Sequence, residues 1–135
     1  MILLDTTACI DYLRGNPSFG QVLDQNNDIF AITSVTIYEV SIGLERTKRL
    51  KSSKVYHSQL AVWNKFRALF KILDLTQSAA EKAAEIYDYL VQAGQIVDDN
   101  DILIAGIMRS ANLQTIITRN IKHFQKIPEI TVIPY

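Results

Sequence analysis

At 135 residues, of which 48% are hydrophobic, the chain has enough material for one compact domain with a real core, and we expect residues 1–135 to form it. The formal net charge is zero, so bulk charge does not indicate a nucleic-acid partner, and one cysteine excludes an internal disulfide. No apolar run approaches the roughly 20 residues of a membrane helix, and no signal-peptide pattern opens the chain, so we expect a cytoplasmic protein without a membrane partner.

Short runs rich in β-branched residues predict five strands, and helical patterns separate them. The strands are predicted at residues 2–4, 29–32, 71–75, 115–118 and 130–133. The helices are predicted at residues 7–14, 34–47, from 76 or 78 to 94, and 101–111, with Ser34 and either Thr76 or Ser78 as N-caps. Strands that alternate with helices predict an α/β fold, with a parallel sheet covered by helices on both faces.

Two segments carry more apolar surface than one small domain is expected to bury. Residues 101–111 are apolar almost all round, so this helix is expected under the sheet or at a subunit interface. An apolar stripe at helical spacing precedes residue 71, and it consists of Leu60, Trp63, Phe66 and Phe70. This stripe either packs on the core or grips a helix of a partner. Because exposed apolar surface marks interfaces, we expect a homodimer.

Three carboxylates stand in mostly apolar stretches, at a strand end or near the start of a helix. They are Asp5, Glu39 and Asp101. Carboxylates are rarely placed in such stretches unless they are paired or bind a metal ion. A parallel sheet can gather all three at one edge, where a divalent cation such as Mg²⁺ would offset their repulsion. The residues by themselves therefore indicate an acidic pocket that is able to hold metal.

Several polar residues near these acids have two interpretations each. Thr7 and Ser34 either cap helices or reach the water molecules bound to a metal ion. Thr118 and Arg119 either hold a phosphate of the substrate or are a strand-end residue and a solvated cation. The pattern does not decide between these roles.

Two further polar residues are expected to take no part in the chemistry. Asp11 is expected to pair with Arg14, which lies one helical turn further along. His123 is expected to face solvent rather than to act as a base.

Short motifs follow one another along nearly the whole chain in a recognisable order. They are LLDTT at residues 3–7, IDYLRG at 10–15, SVTIYE at 34–39 with Gly43, DILIA at 101–105, and TRN at 118–120 with Phe124. Together these motifs resemble a PIN-domain ribonuclease of the bacterial VapC toxin type. The resemblance implies a three-layer α/β/α sandwich with a five-stranded parallel sheet.

The resemblance also implies an endoribonuclease that depends on Mg²⁺ or Mn²⁺ and hydrolyses RNA phosphodiester bonds. By position, Asp5, Glu39 and Asp101 match the catalytic, metal-binding acids of the family. A toxin of this type forms a dimer and is inhibited by a cognate VapB-type antitoxin. Eight of the fourteen basic residues lie between positions 45 and 71, and we expect the cluster that includes Lys48 and Arg49 to contact RNA.

The sequence departs from the family pattern at a fourth acid. Many relatives have an acid at the position of Asn120 or three residues later, where this chain has His123. Asn120 can still bind metal through its carbonyl oxygen, and Asp99 either supplies part of the missing charge or only complements its helix dipole. The resemblance therefore supports a first metal ion better than a second.

Two other functions remain open. In the first, Asp5 is the nucleophile or the phosphorylated residue of a phosphotransfer enzyme, although the second acid usual two residues later is replaced by Thr7. In the second, the chain is a catalytically silent PIN-like binding module, although all three acids are present. For the toxin, we expect a groove that receives an apolar antitoxin helix, with an antitoxin arginine or lysine that reaches the acids.

Overall fold

The computed structural model describes all 135 residues, and five strands in it form one parallel sheet. The strands are β1 (Ile2–Leu4), β2 (Phe30–Thr33), β3 (Lys71–Leu73), β4 (Thr115–Ile117) and β5 (Thr131–Ile133). Their order is β3-β2-β1-β4-β5, and every neighbouring pair is parallel. The chain therefore builds outward from β1 in both directions. Such a switch point opens a crevice beyond the carboxyl ends of the strands.

Seven helices accompany the strands. They are α1 (Thr6–Leu13), α2 (Pro17–Gln25), α3 (Ser34–Leu50), α4 (Ser53–Arg67), α5 (Gln77–Gln92), α6 (Asp99–Ser110) and α7 (Ile121–Phe124). In four of them a polar side chain before the first turn accepts a main-chain N–H, and these caps are Asn16, Thr33, Ser52 and Thr76. None of the helices has the length and apolar character needed to cross a membrane.

The alternation of side chains along β1 divides the hydrophobic core into two clusters. Leu3 faces a cluster formed mainly with α5 and α6, and Ile2 and Leu4 face a cluster formed with α1, α2 and α4. Successive side chains of a strand point to opposite faces of the sheet, so each cluster covers one face. The expected three-layer α/β/α sandwich with a five-stranded parallel sheet is confirmed.

The two apolar segments are used mainly inside the chain. Helix α6 packs along α5, and a Cβ atom on Gly106 would lie 2.5 Å from the carbonyl oxygen of Ala79 and 2.6 Å from the Cβ of Ala83. In α4, Trp63 and Phe66 are buried in the second core cluster. The sequence left open whether these segments pack within the chain or form an interface, and the structure supports packing within the chain.

The predicted elements agree with the structure except at specific boundaries. All five strands are present within one or two residues of their predicted limits. The N-cap of α3 is Thr33 and not Ser34, and α3 continues to Leu50. Helices α2 and α7 were not predicted, although Asn16 caps α2 and Pro17 is its first residue, which is a common helix start. Helix α4 was anticipated only as an apolar stripe at helical spacing.

Candidate functional site

Asp5 follows the central strand directly and precedes α1. β1 is completely buried, so its carboxyl end places Asp5 at the middle of the sheet edge, where the residue is 1% exposed. Its side chain makes no capping hydrogen bond to α1. A carboxylate in this position is removed from water and requires hydrogen-bond donors or a cation.

Two threonine hydroxyls hold one oxygen of this carboxylate. Thr118 and Thr7 donate to Asp5 Oδ2 over 2.7 Å and 3.0 Å. The N–H of Arg119 donates to Thr7 Oγ1, and the N–H of Asn120 donates to Thr118 Oγ1. Because these amides occupy acceptor positions of the hydroxyls, each hydroxyl keeps its one hydrogen for Asp5. The other oxygen, Asp5 Oδ1, is buried without a hydrogen-bond partner.

Glu39 lies in the second turn of α3, where a series of hydroxyls reaches it. Thr6 donates to Glu39 Oε1 over 2.6 Å. Thr6 Oγ1 lies 3.2 Å from Thr36 Oγ1, and Thr36 Oγ1 lies 3.2 Å from the hydroxyl of Thr33. The role of Thr6 was not predicted, because its contact with Glu39 joins two helices that are distant in the chain.

Asp101 stands in the first turn of α6 and is buried. Its Oδ2 lies 2.5 Å from Nδ1 of His123, whose side chain is 38% exposed. The ring of His123 is partly exposed, as predicted, but its contact with Asp101 was not predicted. Its ring occupies one oxygen of Asp101, as the two threonines occupy one oxygen of Asp5.

Burial raises the pKa values of all three acids, and loss of hydration is the largest cause in each. The pKa of Asp101 rises to about 6. The pKa values of Asp5 and Glu39 are also raised, although hydroxyl donors act in the opposite direction. The charges of Asp5 and Asp98 raise the pKa values of both Glu39 and Asp101. The structure thus brings the three predicted acids close enough to repel one another.

The chemistry of these residues fits a hard divalent cation. Carboxylate oxygens are the ligands that Mg²⁺ and Mn²⁺ prefer, and Asp5 Oδ1 has no other partner. Yet no group of three or more His, Cys, Asp or Glu side chains stands arranged as a ready metal site. Instead, Thr6 occupies one oxygen of Glu39, and His123 occupies one oxygen of Asp101. A cation that uses either of these two occupied oxygens would have to displace Thr6 or His123.

Two further candidate ligands differ in their surroundings. Asn120 immediately precedes α7, and its side chain makes no capping hydrogen bond there. Asp99 is exposed in α6, and it is Asp98 whose charge affects the pKa values of Glu39 and Asp101. The structure therefore favours Asp98 over Asp99 as the additional charge near the pocket, and ligation by Asn120 stays a prediction.

The residues predicted to bind substrate do not all lie at the acids. Thr7 and Thr118 contact Asp5 directly, and Thr118 is fully buried. Ser34 instead accepts the N–H of Leu75, so it joins the start of α3 to the chain after β3. The two interpretations given for Ser34, a helix cap and a contact to metal-bound water, both lack support in the structure.

Lys48 and Arg49 are exposed in the last turn of α3. Along the helix axis, Lys48 stands about 14 Å from Glu39, from the rise of 1.5 Å per residue. Lys48 Nζ lies 5.4 Å from the ring centre of Tyr56 in α4. These two cations are therefore at the opposite end of α3 from the acids, where they can contact only a ligand that extends well beyond the pocket.

Asp11 pairs with Arg119 and not with Arg14. Arg119 Nη1 lies 3.2 Å from Asp11 Oδ1, and the hydroxyl of Tyr135 donates to Asp11 Oδ2 over 2.9 Å. The predicted partner was wrong because helical spacing identifies only neighbours on the same helix. Both actual partners come from the far end of the chain.

A groove of about 470 Å³ lies beside the acids, between α1, α3 and α4. Its lining combines apolar and charged residues, among them Ile10, Leu13, Arg14, Glu39, Lys51, Val62 and Trp63. We call Asp5, Glu39 and Asp101, with the threonines that contact them, the acid pocket. Glu39 thus belongs to both the acid pocket and the groove. A ligand in the groove has direct access to one of the three acids.

Known proteins resemble this chain over nearly its whole length. The family model described as PIN domain matches residues 2–130. Ribonuclease VapC2 of Rickettsia felis is 30% identical over 132 residues, which cover 95% of this chain and 92% of the relative. Ribonuclease VapC1 of Methanocaldococcus jannaschii is 28% identical, with coverage of 95% and 82%.

Solved structures also resemble this chain over nearly its whole length. VapBC2 from Rickettsia felis, bound to a DNA fragment from their promoter, superposes with a TM-score of 0.83 at 27% identity, and the match covers 100% of this chain and 99% of that one. DNA-bound VapBC from Salmonella typhimurium superposes with a TM-score of 0.84 at 28% identity, with coverage of 98% and 96%. The chain therefore belongs to the PIN-domain family, as a member of its VapC type.

Proposed function

We propose that this chain is a metal-dependent endoribonuclease and the toxin of a toxin–antitoxin pair. Relatives named as VapC ribonucleases and neighbours solved as VapBC complexes support the proposal. The observation that carries it is the buried, unpartnered Oδ1 of Asp5 beside two further acids. RNA as the substrate would place this activity in the cytoplasm.

Asp5, Glu39 and Asp101 would hold Mg²⁺ or Mn²⁺, with Asn120 as a candidate neutral ligand. When bound, the ion supplies a Lewis acid that activates water and stabilises the charge that develops on a phosphodiester. The residues of the chain orient this acid set. Thr7 and Thr118 fix the plane of the Asp5 carboxylate by occupying Oδ2, so that Oδ1 alone is left for a cation.

RNA cleavage with and without metal tests this proposal. Purified protein should cleave a labelled RNA with Mg²⁺ or Mn²⁺ and lose the activity in EDTA, because carboxylates alone cannot stabilise the developing charge. A parallel preparation of Asp5→Asn controls for contaminating ribonucleases. Cleavage that persists in EDTA, or that is equal in the two preparations, contradicts the proposal.

The structure weighs against the phosphotransfer alternative. Asp5 is 1% exposed, and two hydroxyls already occupy Oδ2. A nucleophilic or phosphorylated aspartate must be reached by a phosphoryl donor, and the burial of Asp5 argues against such access. The silent binding module is tested by the same cleavage assay, since it predicts no metal-dependent activity.

We also propose that a VapB-type antitoxin places an apolar segment in the groove between α1, α3 and α4. Glu39 lines the groove, so a basic side chain of the antitoxin beside it would neutralise acid charge as well as block access. Because the basic side chain would lie beside the metal-binding acids, the antitoxin would compete directly with the metal ion.

Val62 offers a clean test of the groove because it is 49% exposed while it lines the groove. Val62→Asp should weaken antitoxin binding at least about tenfold by placing a charge in an apolar contact. Val91→Asp in α5 is the matched control, since Val91 is 52% exposed and lies outside the groove. Equal affinities of the two variants would remove the groove as the antitoxin site. Trp63 is a poorer probe because it is buried.

A homodimer remains part of the proposal, although the apolar face of α6 is used inside the chain. Tyr38 and Ile42 lie one turn apart on α3 and are both exposed, so they offer apolar surface to a second copy. Light scattering at micromolar concentration should give twice the chain mass of 15.3 kDa. A monomer mass at that concentration contradicts the dimer.

A further inference from the structure

A buried carboxylate outside the acid pocket makes two contacts that the proposed chemistry does not explain. Asp11 in α1 is 3% exposed, and each of its oxygens has one partner. Arg119 Nη1 lies 3.2 Å from Oδ1, and the hydroxyl of Tyr135 donates to Oδ2 over 2.9 Å. The ring of Tyr135 packs against Phe19 with the ring centres 5.4 Å apart. The carboxylate thus joins α1 to residues that follow β4 and β5.

Arg119 connects this carboxylate to the acid pocket through its main chain. Its N–H donates to Thr7 Oγ1 over 3.1 Å, and the same hydroxyl donates to Asp5. The side chain of Arg119 is 55% exposed, although Asp11 beneath it is buried. A guanidinium group has five N–H donors, and the recorded ion pair uses only Nη1. Because more than half of the side chain is exposed, the remaining donors are open to a ligand.

We propose that Arg119 binds a phosphate of the RNA next to the bond that is cut, and that Asp11 and Tyr135 are positioning residues that hold its guanidinium there. This inference rests on the proposed function. Arginine suits such a contact because its planar fork can give two parallel hydrogen bonds to a phosphate. A long side chain at the surface would otherwise sample many rotamers, so anchoring it in advance reduces the entropy lost on binding.

Tyr135 is well suited to share the charge of Asp11. A tyrosine hydroxyl is protonated at neutral pH and can donate to Asp11. Burial, and the hydrogen bond to Asp11 after it, raise the pKa of the Tyr135 hydroxyl further. A neutral donor on one oxygen satisfies that oxygen without adding a second positive charge. Asp11 is then held by one cation and one neutral group, and Arg119 keeps a fixed direction.

The competing explanation is that the three residues only tie the chain together. Removal of the Tyr135 hydroxyl separates the two explanations, because Tyr135→Phe retains the ring that packs on Phe19. A purely structural contact would change thermal stability and leave RNA affinity alone. A positioning contact would change RNA affinity, and only while Arg119 is present.

The test measures RNA binding and not cleavage. A fluorescent single-stranded RNA is titrated with full-length Asp5→Asn protein, which should leave the RNA intact, at several KCl concentrations. In this background we expect Arg119→Ala to weaken binding about tenfold and to reduce the salt slope by about one, as loss of one phosphate contact does. Arg109→Ala is the matched control, because Arg109 also lies near carboxylates but far along α6 from Asp101. It should leave affinity and slope unchanged.

A double-mutant cycle tests the positioning role. Tyr135→Phe should weaken binding in the Asp5→Asn protein and have no further effect once Arg119 is alanine. Circular dichroism confirms that each variant is folded, and if Arg119→Ala is not, Arg119→Lys should show an intermediate affinity with an unchanged slope. Unchanged affinity and slope in Arg119→Ala, or a Tyr135→Phe effect that persists without Arg119, would overturn the inference.

The failure of the inference can be told apart from failure of the proposed function. If the parent chain cleaves RNA with metal while Arg119→Ala has the same KM and kcat, the proposed function stands and the inference fails. If the parent chain neither binds nor cleaves RNA, both fail. A raised KM with kcat less affected supports the phosphate contact.

Discussion

Helix α6 contributes to two regions of the molecule, one that buries carboxylates and one that buries apolar groups. Its first turn carries Asp101 into the acid pocket, which consists of Asp5, Glu39 and Asp101 with the threonines that contact them. Its middle packs against α5, and we call α5 and α6 the helix pair. In this pair Gly106 lies against Ala79 and Ala83. The helix pair buries apolar groups without charge, whereas the acid pocket buries carboxylates that repel one another.

The helix pair stabilises the fold, whereas the acid pocket is held in place by the rest of the fold. Burial of apolar side chains in the helix pair lowers the free energy of the folded state. Burial of Asp5 with one unpartnered oxygen raises it, so the pocket depends on the rest of the chain. We therefore expect substitutions in the pocket to change activity at little loss of stability, and substitutions in the helix pair to do the reverse.

Asp5→Asn should produce the largest effect. It should lower RNA cleavage with Mg²⁺ by more than about 100-fold, beyond the loss usual for residues that only support a metal ligand. The melting temperature in EDTA should not fall, because the substitution removes one of several crowded negative charges. Asp88→Asn on the exposed part of α5 is the control and should change neither quantity. Cleavage of Asp5→Asn near the parent level would show that the site is elsewhere.

Thr118→Val should have the next largest effect on activity. Valine keeps the shape of threonine but removes the hydroxyl that donates to Asp5 Oδ2 over 2.7 Å. Loss of a partner that orients a metal ligand lowers activity or metal affinity about 10- to 100-fold. Thr118→Ser restores the hydroxyl and should recover most of the activity. If serine and valine behave alike, the hydroxyl does not orient Asp5.

The sequence was sufficient for the features that depend on local patterns. The five strands are short apolar runs, and the positions of Asp5, Glu39 and Asp101 follow from where those runs end and helices begin. The parallel topology then brings the acids together without any further information. The sheet and the three acids of the pocket could therefore be predicted, whereas the contact of Thr6 with Glu39 could not.

Contacts between distant elements could not be predicted in this way. Arg119 meets Asp11 because β4 lies beside β1 in the folded chain, and His123 meets Asp101 because α7 packs against α6. No periodicity within a helix identifies such partners. The helix pair shows the same limit, since the sequence showed an apolar helix but not that Gly106 would lie against α5.

Gly106→Ala should destabilise the helix pair without changing the chemistry of the pocket. The added Cβ would meet backbone atoms of α5, so α6 must shift, and overpacking of this kind costs about 1–3 kcal/mol. Urea denaturation measures the loss, and cleavage per folded molecule should stay near the parent value. Gly20→Ala in α2, where a Cβ meets nothing within 4 Å, should instead stabilise by about 0.5–1 kcal/mol. A similar loss in both variants would show that the close approach is not the cause.

Glu85→Gln should have the smallest effect, because it removes a charge from the exposed side of the helix pair. Arg109 lies 3.9 Å from both Glu85 and Glu129, and the two acid side chains are 62% and 70% exposed. Exposed ion pairs at such distances contribute little, so the free energy of unfolding should change by less than about 0.5 kcal/mol.

Asp11→Asn is the informative comparison, since Asp11 is a carboxylate of which the side chain is only 4% exposed. This change weakens one contact to Arg119 and one to Tyr135, and its effect on unfolding should clearly exceed that of Glu85→Gln. Urea denaturation of both variants at low and high salt decides the matter. Only the small effect of Glu85→Gln should vanish at high salt, because ions screen exposed pairs far more than buried ones. If Glu85→Gln proves the more destabilising of the two, burial of the carboxylate does not decide how much these contacts contribute to stability.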